Sequence, residues 1–272
     1  MVQQRFEGKV VLVTGGGAGI GTGICKRFHA EGAKVWIVDT NREGAEAAAA
    51  ALNQVDNGKE HARRAVTAIV DISQETAVSA LLDQIEVTDG RLDVLVNNAA
   101  RFVLKSAEMA EERDWDNVLA SNVKGYGLVS KHAIRVMKAT KTRGSSTEAS
   151  GCSIINLGSI SSFVGQPGMC TYSATKAAVL ALTRCTAIDC GPYGIRVNAV
   201  CPGPILTEAT KRHAASQGKS MEEMVSELTG HMIQHRMGTP AEIAAVVAFM
   251  ASEDASFVSG ASLLVDGGYS AL

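Results

Sequence analysis

Val10-Val-Leu-Val-Thr-Gly-Gly-Gly-Ala-Gly-Ile-Gly21 is the stretch that decides the fold. Its first four residues are apolar and mostly β-branched, the composition of a short strand buried on both faces. Gly23-Ile-Cys-Lys-Arg-Phe-His-Ala30 then reads as a helix. Between them Gly15, Gly19 and Gly21 stand in Gly-x-x-x-Gly-x-Gly spacing. Such a turn removes β-carbons where backbone must approach a ligand. It also aims free N–H groups and a helix N-terminus at phosphate. Alone, it is equally a tight connection.

A second signal follows at the right distance. Lys34-Val-Trp-Ile-Val38 reads as the next strand and ends at Asp39, eighteen residues after Gly21 (39 − 21). An acid there accepts hydrogen bonds from adenosine ribose hydroxyls and repels a 2′-phosphate, which favours NAD over NADP. Arg42 stands close enough to tolerate that phosphate, and Asp39 is also placed to cap a helix starting near Asn41. Gly44–Leu52 is alanine-rich and helical, and Asn53–Arg63 a polar surface connection. Val66–Val70 is the third strand, closing on Asp71 and Ile72. Asp71 is positioned either to meet the adenine amino group or to cap the helix from Gln74.

That helix carries Val78, Leu81, Leu82 and Ile85 on one face, a stripe for packing on a sheet. Asp93–Val96 is the fourth strand and runs into Asn97-Asn-Ala-Ala100, small residues and amides able to pack on a cofactor and tie strands together. Two long helices are expected over Met109–Lys138, with Asn122 between them holding a kink or a water, or acting as a plain cap. Thr140–Gly151 lacks an apolar anchor and reads as an exposed loop. Ser153–Leu157 is the fifth strand, ending in Gly158-Ser159-Ile-Ser-Ser162.

Tyr172-Ser-Ala-Thr-Lys176 opens a helix expected to reach about Asp189, so the tyrosine and lysine share a face. An ammonium near a phenol favours the phenolate. Bringing a tyrosine from ~10 to ~7 takes about 4 kcal/mol, which a lysine and a cationic cofactor would supply together. Taken alone, Tyr-x-x-x-Lys is an ordinary surface-helix pattern. Ile195–Val200 is the sixth strand, followed by Cys201-Pro-Gly-Pro-Ile-Leu-Thr207. Glu208–Gly238 is irregularly helical with Met221, Met224, Met232 and Met237, either a mobile cover over an apolar substrate or short helices in ordinary packing. A helix over Ala241–Met250 and a strand near Ser262–Val265 complete an alternation of about seven parallel strands with helices on both faces. This is a single doubly wound Rossmann-type α/β domain over residues 1–272, with a substrate-covering helical segment around 205–238.

The 272 residues carry a formal net charge of −2 and are 46% hydrophobic. This leaves no bulk electrostatic hold on nucleic acid or an anionic membrane. No apolar run approaches a membrane span, and the N-terminus does not read as a signal peptide. The six cysteines form no Cys-x-x-Cys, in keeping with a reduced, cytoplasmic protein. The histidines fit no metal spacing, although His231 and His235 would share a helical face; no metal site is expected.

Thr14-Gly-x-x-x-Gly-x-Gly21, Asn97-Asn-Ala, Ser159, Tyr172-x-x-x-Lys176, Asn198 and Pro202-Gly203 occur in this order. From about Gly8 to Tyr269 the chain thereby resembles the short-chain dehydrogenase/reductase family, in its single-domain branch. The resemblance implies catalytic roles for Asn122, Ser159, Tyr172 and Lys176. Tyr172 would be the acid/base, and Ser159 would bind the substrate oxygen. Lys176 would hold the nicotinamide ribose and lower the tyrosine pKa, and Asn122 would keep a water in the proton relay. It also implies that the cofactor meets Gly15, Gly17, Gly19, Ile20, Gly21, Asp39, Asp71, Ile72, Asn98, Tyr172, Lys176, Pro202, Gly203, Ile205 and Thr207. Ser161 and Ser162 lie near Ser159, but only Ser159 has the family's spacing to Tyr172. Two departures stand out: Ala100 replaces the usual glycine, and Arg101 adds a charge near the substrate mouth, where it could recognise an acidic substrate.

The expected activity is reversible hydride transfer between NAD and a small secondary alcohol or ketone, by a homo-oligomer, tetramer or dimer. The rivals are an NADP-dependent carbonyl or 3-oxoacyl-type reductase and a non-catalytic nucleotide-binding protein of the same fold. A sugar-nucleotide epimerase shares Tyr-x-x-x-Lys but needs a larger substrate domain.

Overall fold

The computed structural model describes residues 4–55, 64–143, 151–216, 218–230 and 232–271. In the first strand, β1 (Val10–Thr14), successive side chains enter opposite cores, as strand geometry requires. Val11 and Val13 join one cluster with Ile24, Cys25 and Phe28 of α1 (Gly19–Ala30), with α2 (Arg42–Val55), and with Ile243 and Val247 of α9 (Pro240–Ala251). Val10 and Leu12 join the other, against α3 (Glu75–Asp89), α5 (Tyr126–Arg143) and α6 (Cys170–Cys190). Both faces are therefore dry. Burying a side chain such as Phe28 contributes about 1.5–3 kcal/mol.

The remaining strands are β2 (Lys34–Asp39), β3 (Val66–Ile69), β4 (Val94–Asn97), β5 (Ser153–Leu157), β6 (Arg196–Pro202) and β7 (Ser262–Val265). All seven are parallel in the order β3-β2-β1-β4-β5-β6-β7. After β3 the chain crosses back to the far side of β1, so the strand order reverses between β1 and β4. In open parallel sheets the crevice beyond the strand ends at that point is where ligands bind.

Local chemistry sets the helix ends. Thr239 Oγ1 accepts from the Glu242 amide at 3.3 Å and Glu242 Oε2 accepts from the Thr239 amide at 2.8 Å, a capping box that starts α9 at Pro240. Gly90, with φ +68°, ends α3 by donating to the Glu86 carbonyl at 2.9 Å.

Several boundaries differ from the sequence reading. α1 begins inside the glycine turn at Gly19, and α2 extends over Asn53–Val55, whereas residues 56–63 lie outside the described ones. The first of the two helices expected over Met109–Lys138 is short, α4 (Glu112–Leu119). A π-helical segment, Ala120–Gly125, joins it to α5. α5 continues through Thr140 to Arg143, since the Thr140 hydroxyl accepts from the Leu92 amide at 3.1 Å and donates to the Val136 carbonyl at 3.0 Å; the rest of the expected loop, 144–150, lies outside the described residues. The segment after β6 contains α7 (Glu208–Ser216) and α8 (Met221–Thr229), then returns to pair Gly238 with Ile205. The expected helical face for His231 and His235 is not formed: His231 lies outside the described residues, and His235 is non-helical with φ +45°.

Candidate active site

Two adjoining cavities lie at the reversal of strand order, and Asn98 and Ala100 line both. The smaller, about 300 Å³, is walled by Gly15, Asp39, Asp71, Ile72 and Arg101. The larger, about 600 Å³, is walled by Ile20, Ser159, Tyr172, Lys176, Pro202, Gly203, Ile205 and Thr207. Of the expected site residues, Gly17, Gly19, Gly21 and Asn122 line neither. Gly19 and Gly21 lie in α1, Gly17 in the turn before it, and Asn122 is buried against Thr175 of α6.

The glycine turn is shaped by close approach. A β-carbon on Gly21 would lie 2.0 Å from the Gly15 carbonyl oxygen, and Gly15 itself has φ +64°. By contrast, a β-carbon on Gly19 would meet only the Thr207 side chain, at 3.5 Å, so the N-terminus of α1 faces open space. Ala18 gives that helix no side-chain cap, and its first turn contains no acid. Uncapped N–H groups and the positive end of the helix dipole are complementary to a diphosphate. Asn98 Nδ2 donates to the Thr14 and Gly15 carbonyls at 2.9 and 3.0 Å, and Thr14 Oγ1 accepts from the Asn98 and Ala99 amides at 3.0 and 3.1 Å. These bonds tie β1 to β4 beneath the turn, a role for Thr14 that its place at the head of the glycine motif did not itself specify.

In the smaller cavity Asp39 accepts from the Gly17 amide at 3.0 Å and the Asn41 amide at 2.9 Å. The cap of α2 is Asn41, whose Oδ1 accepts from the Gly44 amide at 3.2 Å. The carboxylate of Asp39 is thus fixed at the cavity wall. Arg42 pairs with Glu46 at 3.1 Å. Asp71 does not cap α3; it accepts from the Ser73 amide at 2.9 Å. Burial pushes Asp71 up, but its bonds to Ser73 and the Arg101 and Lys124 charges hold it below the ordinary value.

Arg101 corrects the sequence reading. Its guanidinium donates to Asp71 and to Asn117, both at 3.3 Å, so its charge faces the smaller cavity rather than the substrate mouth. The physical cause is Asn122, whose amide grips the Arg101 backbone: Oδ1 accepts from its N–H at 2.7 Å and Nδ2 donates to its carbonyl at 2.9 Å. Asn122 sits fully buried in the π-helical segment and also donates to Thr175 Oγ1 at 3.0 Å. Thr175 in turn donates to the Tyr172 carbonyl at 2.7 Å. The chain Arg101–Asn122–Thr175–Tyr172 therefore joins the β4 loop to α6.

In the larger cavity Tyr172 is half-buried, its ring edge-on to Phe102 at 4.8 Å between centroids. Lys176 is buried and donates to the Leu157 carbonyl at 2.7 Å and the Tyr126 hydroxyl at 3.4 Å, with its Nζ 5.6 Å from the Tyr172 ring centroid. Ser159 Oγ accepts from the Ser161 amide at 3.1 Å. Loss of water pushes the Tyr172 phenol up to about 12; its hydrogen bond with the Ser159 side chain pulls the other way. Burial pushes the Lys176 amine down to about 8. Lys176 is not among the groups that shift Tyr172 here; its amine donates to the end of β5 instead. Met224 and Met232 are buried in packing, whereas Leu228 and Met237 reach the cavity. Among the described residues no three His, Cys, Asp or Glu side chains gather as a metal site would need.

A parallel doubly wound sheet with a glycine cradle, a strand-end acid and a Ser–Tyr–Lys wall defines a nicotinamide-dependent oxidoreductase. Residues 15–270 match the family profile described as enoyl-(acyl carrier protein) reductase. The chain is similar to meso-2,3-butanediol dehydrogenase of Serratia marcescens, at 36% identity over 98% of this chain and 96% of that one. It is similar to the NADP-dependent (R)-specific alcohol dehydrogenase of Lentilactobacillus kefiri, at 35% identity over 98% of each. The crystal structure of levodione reductase superposes with a TM-score of 0.88 at 33% identity, covering 98% of this chain and 99% of that one. The chain belongs to the short-chain dehydrogenase/reductase family, and is an NAD(P)-dependent enzyme acting on CH–OH groups.

Proposed function

We propose that this enzyme interconverts a small secondary alcohol and its ketone with NAD in preference to NADP. Tyr172 is the proton-transfer group. The observation that carries the reading is the convergence of Ser159, Tyr172 and Lys176 on one wall of the larger cavity, beside a smaller one edged by Asp39. The residues fit the cofactor: the uncapped start of α1 suits its diphosphate, Asp39 its adenosine ribose, and Ile20, Pro202, Gly203, Ile205 and Thr207 its nicotinamide half. When bound, the cofactor supplies the hydride acceptor or donor.

The protein's own part is the proton. Ser159 orients the substrate oxygen by hydrogen bonding, and the Tyr172 phenol gives or takes the proton on that same oxygen. A fixed donor in a dry site stabilises developing alkoxide far better than it would in water. Lys176 holds the end of β5 and offers its one remaining hydrogen to a ribose hydroxyl. Asn122 holds Thr175, and through it the start of α6, and keeps a water that returns the proton to solvent.

Asp39 favours NAD, because a 2′-phosphate would meet its carboxylate and Arg42 is engaged by Glu46. The second reading, an NADP-dependent reductase, takes its support from the NADP-dependent relative. A panel of secondary alcohols and ketones run with both cofactors decides between them. Turnover only with NADP would reverse the preference, and no turnover across the panel would leave a non-catalytic nucleotide-binding protein. The reading also takes the chain as one domain covered by residues 205–238, working in the cytoplasm as a tetramer or dimer. Val87, Ile188 and Phe257 are exposed apolar side chains, and light scattering measures the mass. No helix of the described residues is long and apolar enough to cross a membrane.

A further inference from the structure

The charges of the larger cavity are one-sided. Its described lining includes two cationic side chains, Lys176 and Arg212, and no carboxylate. Lys176 is committed to the Leu157 carbonyl and the Tyr126 hydroxyl. Arg212, an exposed side chain on α7, forms no ion pair among the described residues; the acid on its own helix, Glu208, is bonded to Lys211 at 2.7 Å and feels the Arg212 charge only at longer range. A second donor faces the same space. Gln166 Oε1 accepts from the Ser161 hydroxyl at 2.6 Å, which leaves both Nε2 hydrogens without an acceptor among the described residues. The walls between are apolar, from Phe102, Ile160, Met169, Leu228 and Met237.

An apolar slot with Tyr172 and Ser159 at one place and an unpaired guanidinium at another selects ligands by charge. A cationic ligand meets no counter-charge there, and an anion meets a planar donor fork suited to two oxygens. The cofactor diphosphate has its own complement at the start of α1. Arg212 is five residues beyond Thr207 (212 − 207), the residue that overhangs Gly19, and so lies about one and a half helical turns further along.

We propose that the substrate is a secondary alcohol or ketone bearing an anionic group, bound by Arg212 with Gln166 as a second donor. The inference rests on the hydride-transfer reading and narrows its substrate class.

The test uses methyl ketones of increasing length ending in a carboxylate, each paired with its methyl ester, assayed with NADH. The wild-type enzyme should prefer one acid over its ester. Arg212→Gln should collapse that preference about tenfold to a hundredfold, through KM rather than kcat, as loss of a charge-assisted hydrogen bond predicts. Arg212→Lys should restore part of it, and Gln166→Leu should lower it less. NADH affinity, measured by calorimetry, should not move. Equal use of acids and esters by the wild type would overturn the proposal. So would loss of NADH affinity in Arg212→Gln, which would give the arginine to the cofactor. If no ketone of either series is reduced with NADH or with NADPH, the hydride-transfer reading fails on its own. Titration of the acids into the enzyme–NADH complex then decides the anion site: acid binding abolished by Arg212→Gln supports it, and equal binding of acid and ester overturns it.

Discussion

The Lys176 ammonium donates to the Leu157 carbonyl at 2.7 Å, and not to the phenol of Tyr172, one helical turn before it. The lysine thereby fastens α6 to the end of β5, and Tyr172 is left with a pKa near 12 in the free protein. With Tyr172 as the proposed proton acceptor, a bound cationic cofactor would have to favour the phenolate, and kcat/KM for alcohol oxidation should rise with pH by about tenfold per unit below its plateau. In the cofactor-free protein the near-ultraviolet tyrosinate signal lost in Tyr172→Phe should appear only at strongly alkaline pH. A Tyr172 titration near neutrality without cofactor would contradict this.

Tyr172→Phe removes the transferable proton and leaves the Phe102 contact available to the ring. We expect kcat to fall by about 10²–10⁴-fold, with NAD binding by calorimetry retained. Near-normal turnover would remove Tyr172 from its role.

Lys176 also couples folding to pH. Burial lowers its pKa from 10.5 to about 8. Between these values the unfolded chain holds a proton that the folded chain has released, so this group's contribution makes stability rise with pH. The slope is at most about 1.4 kcal/mol per pH unit. Lys176→Met should abolish it, seen as a difference between wild-type and variant urea unfolding from pH 8 upward, and should weaken NAD binding as well. Parallel pH curves for the two proteins would show that Lys176 is not titrating in this range.

Asn122→Ala leaves the Arg101 N–H and carbonyl without their partner. Both bonds are part-buried, so each lost one costs about 0.5–1.5 kcal/mol. A lowered Tm and a lowered kcat should appear together, because Asn122 holds both the β4 loop and, through Thr175, the start of α6. An unchanged Tm would mean that water replaces the amide without loss.

Asp39→Asn keeps an acceptor for the Gly17 or Asn41 amide and removes the charge that faces a 2′-phosphate. The ratio of kcat/KM for NADP to that for NAD should rise at least about tenfold, a loss of roughly 1.4 kcal/mol of discrimination. A constant ratio would place cofactor choice elsewhere.

What could be read locally was read well. The alternation of β1 into two cores, the glycine turn, Asp39 at the end of β2 and the one-turn spacing of Tyr172 and Lys176 all depend on neighbours in the chain. Helix and strand periods make such relations visible in sequence. The π-helical segment at Ala120–Gly125 carries no comparable local pattern. It arises where Asn122 must reach the Arg101 backbone and Gly125 must clear Ile72, whose side chain would lie 2.8 Å from a β-carbon there.

Residue types and spacing by themselves determined a parallel doubly wound sheet, a glycine-rich turn at the end of β1 and the one-turn spacing of Tyr172 and Lys176. Only the tertiary structure decided which partner each charge takes. Arg101 turns to Asp71, Lys176 to Leu157, and Arg212 to the larger cavity. A long cationic side chain has several acceptors within reach of its backbone position. Which one it meets depends on strands and helices that are distant in sequence, and burial then sets the pKa that the chemistry uses.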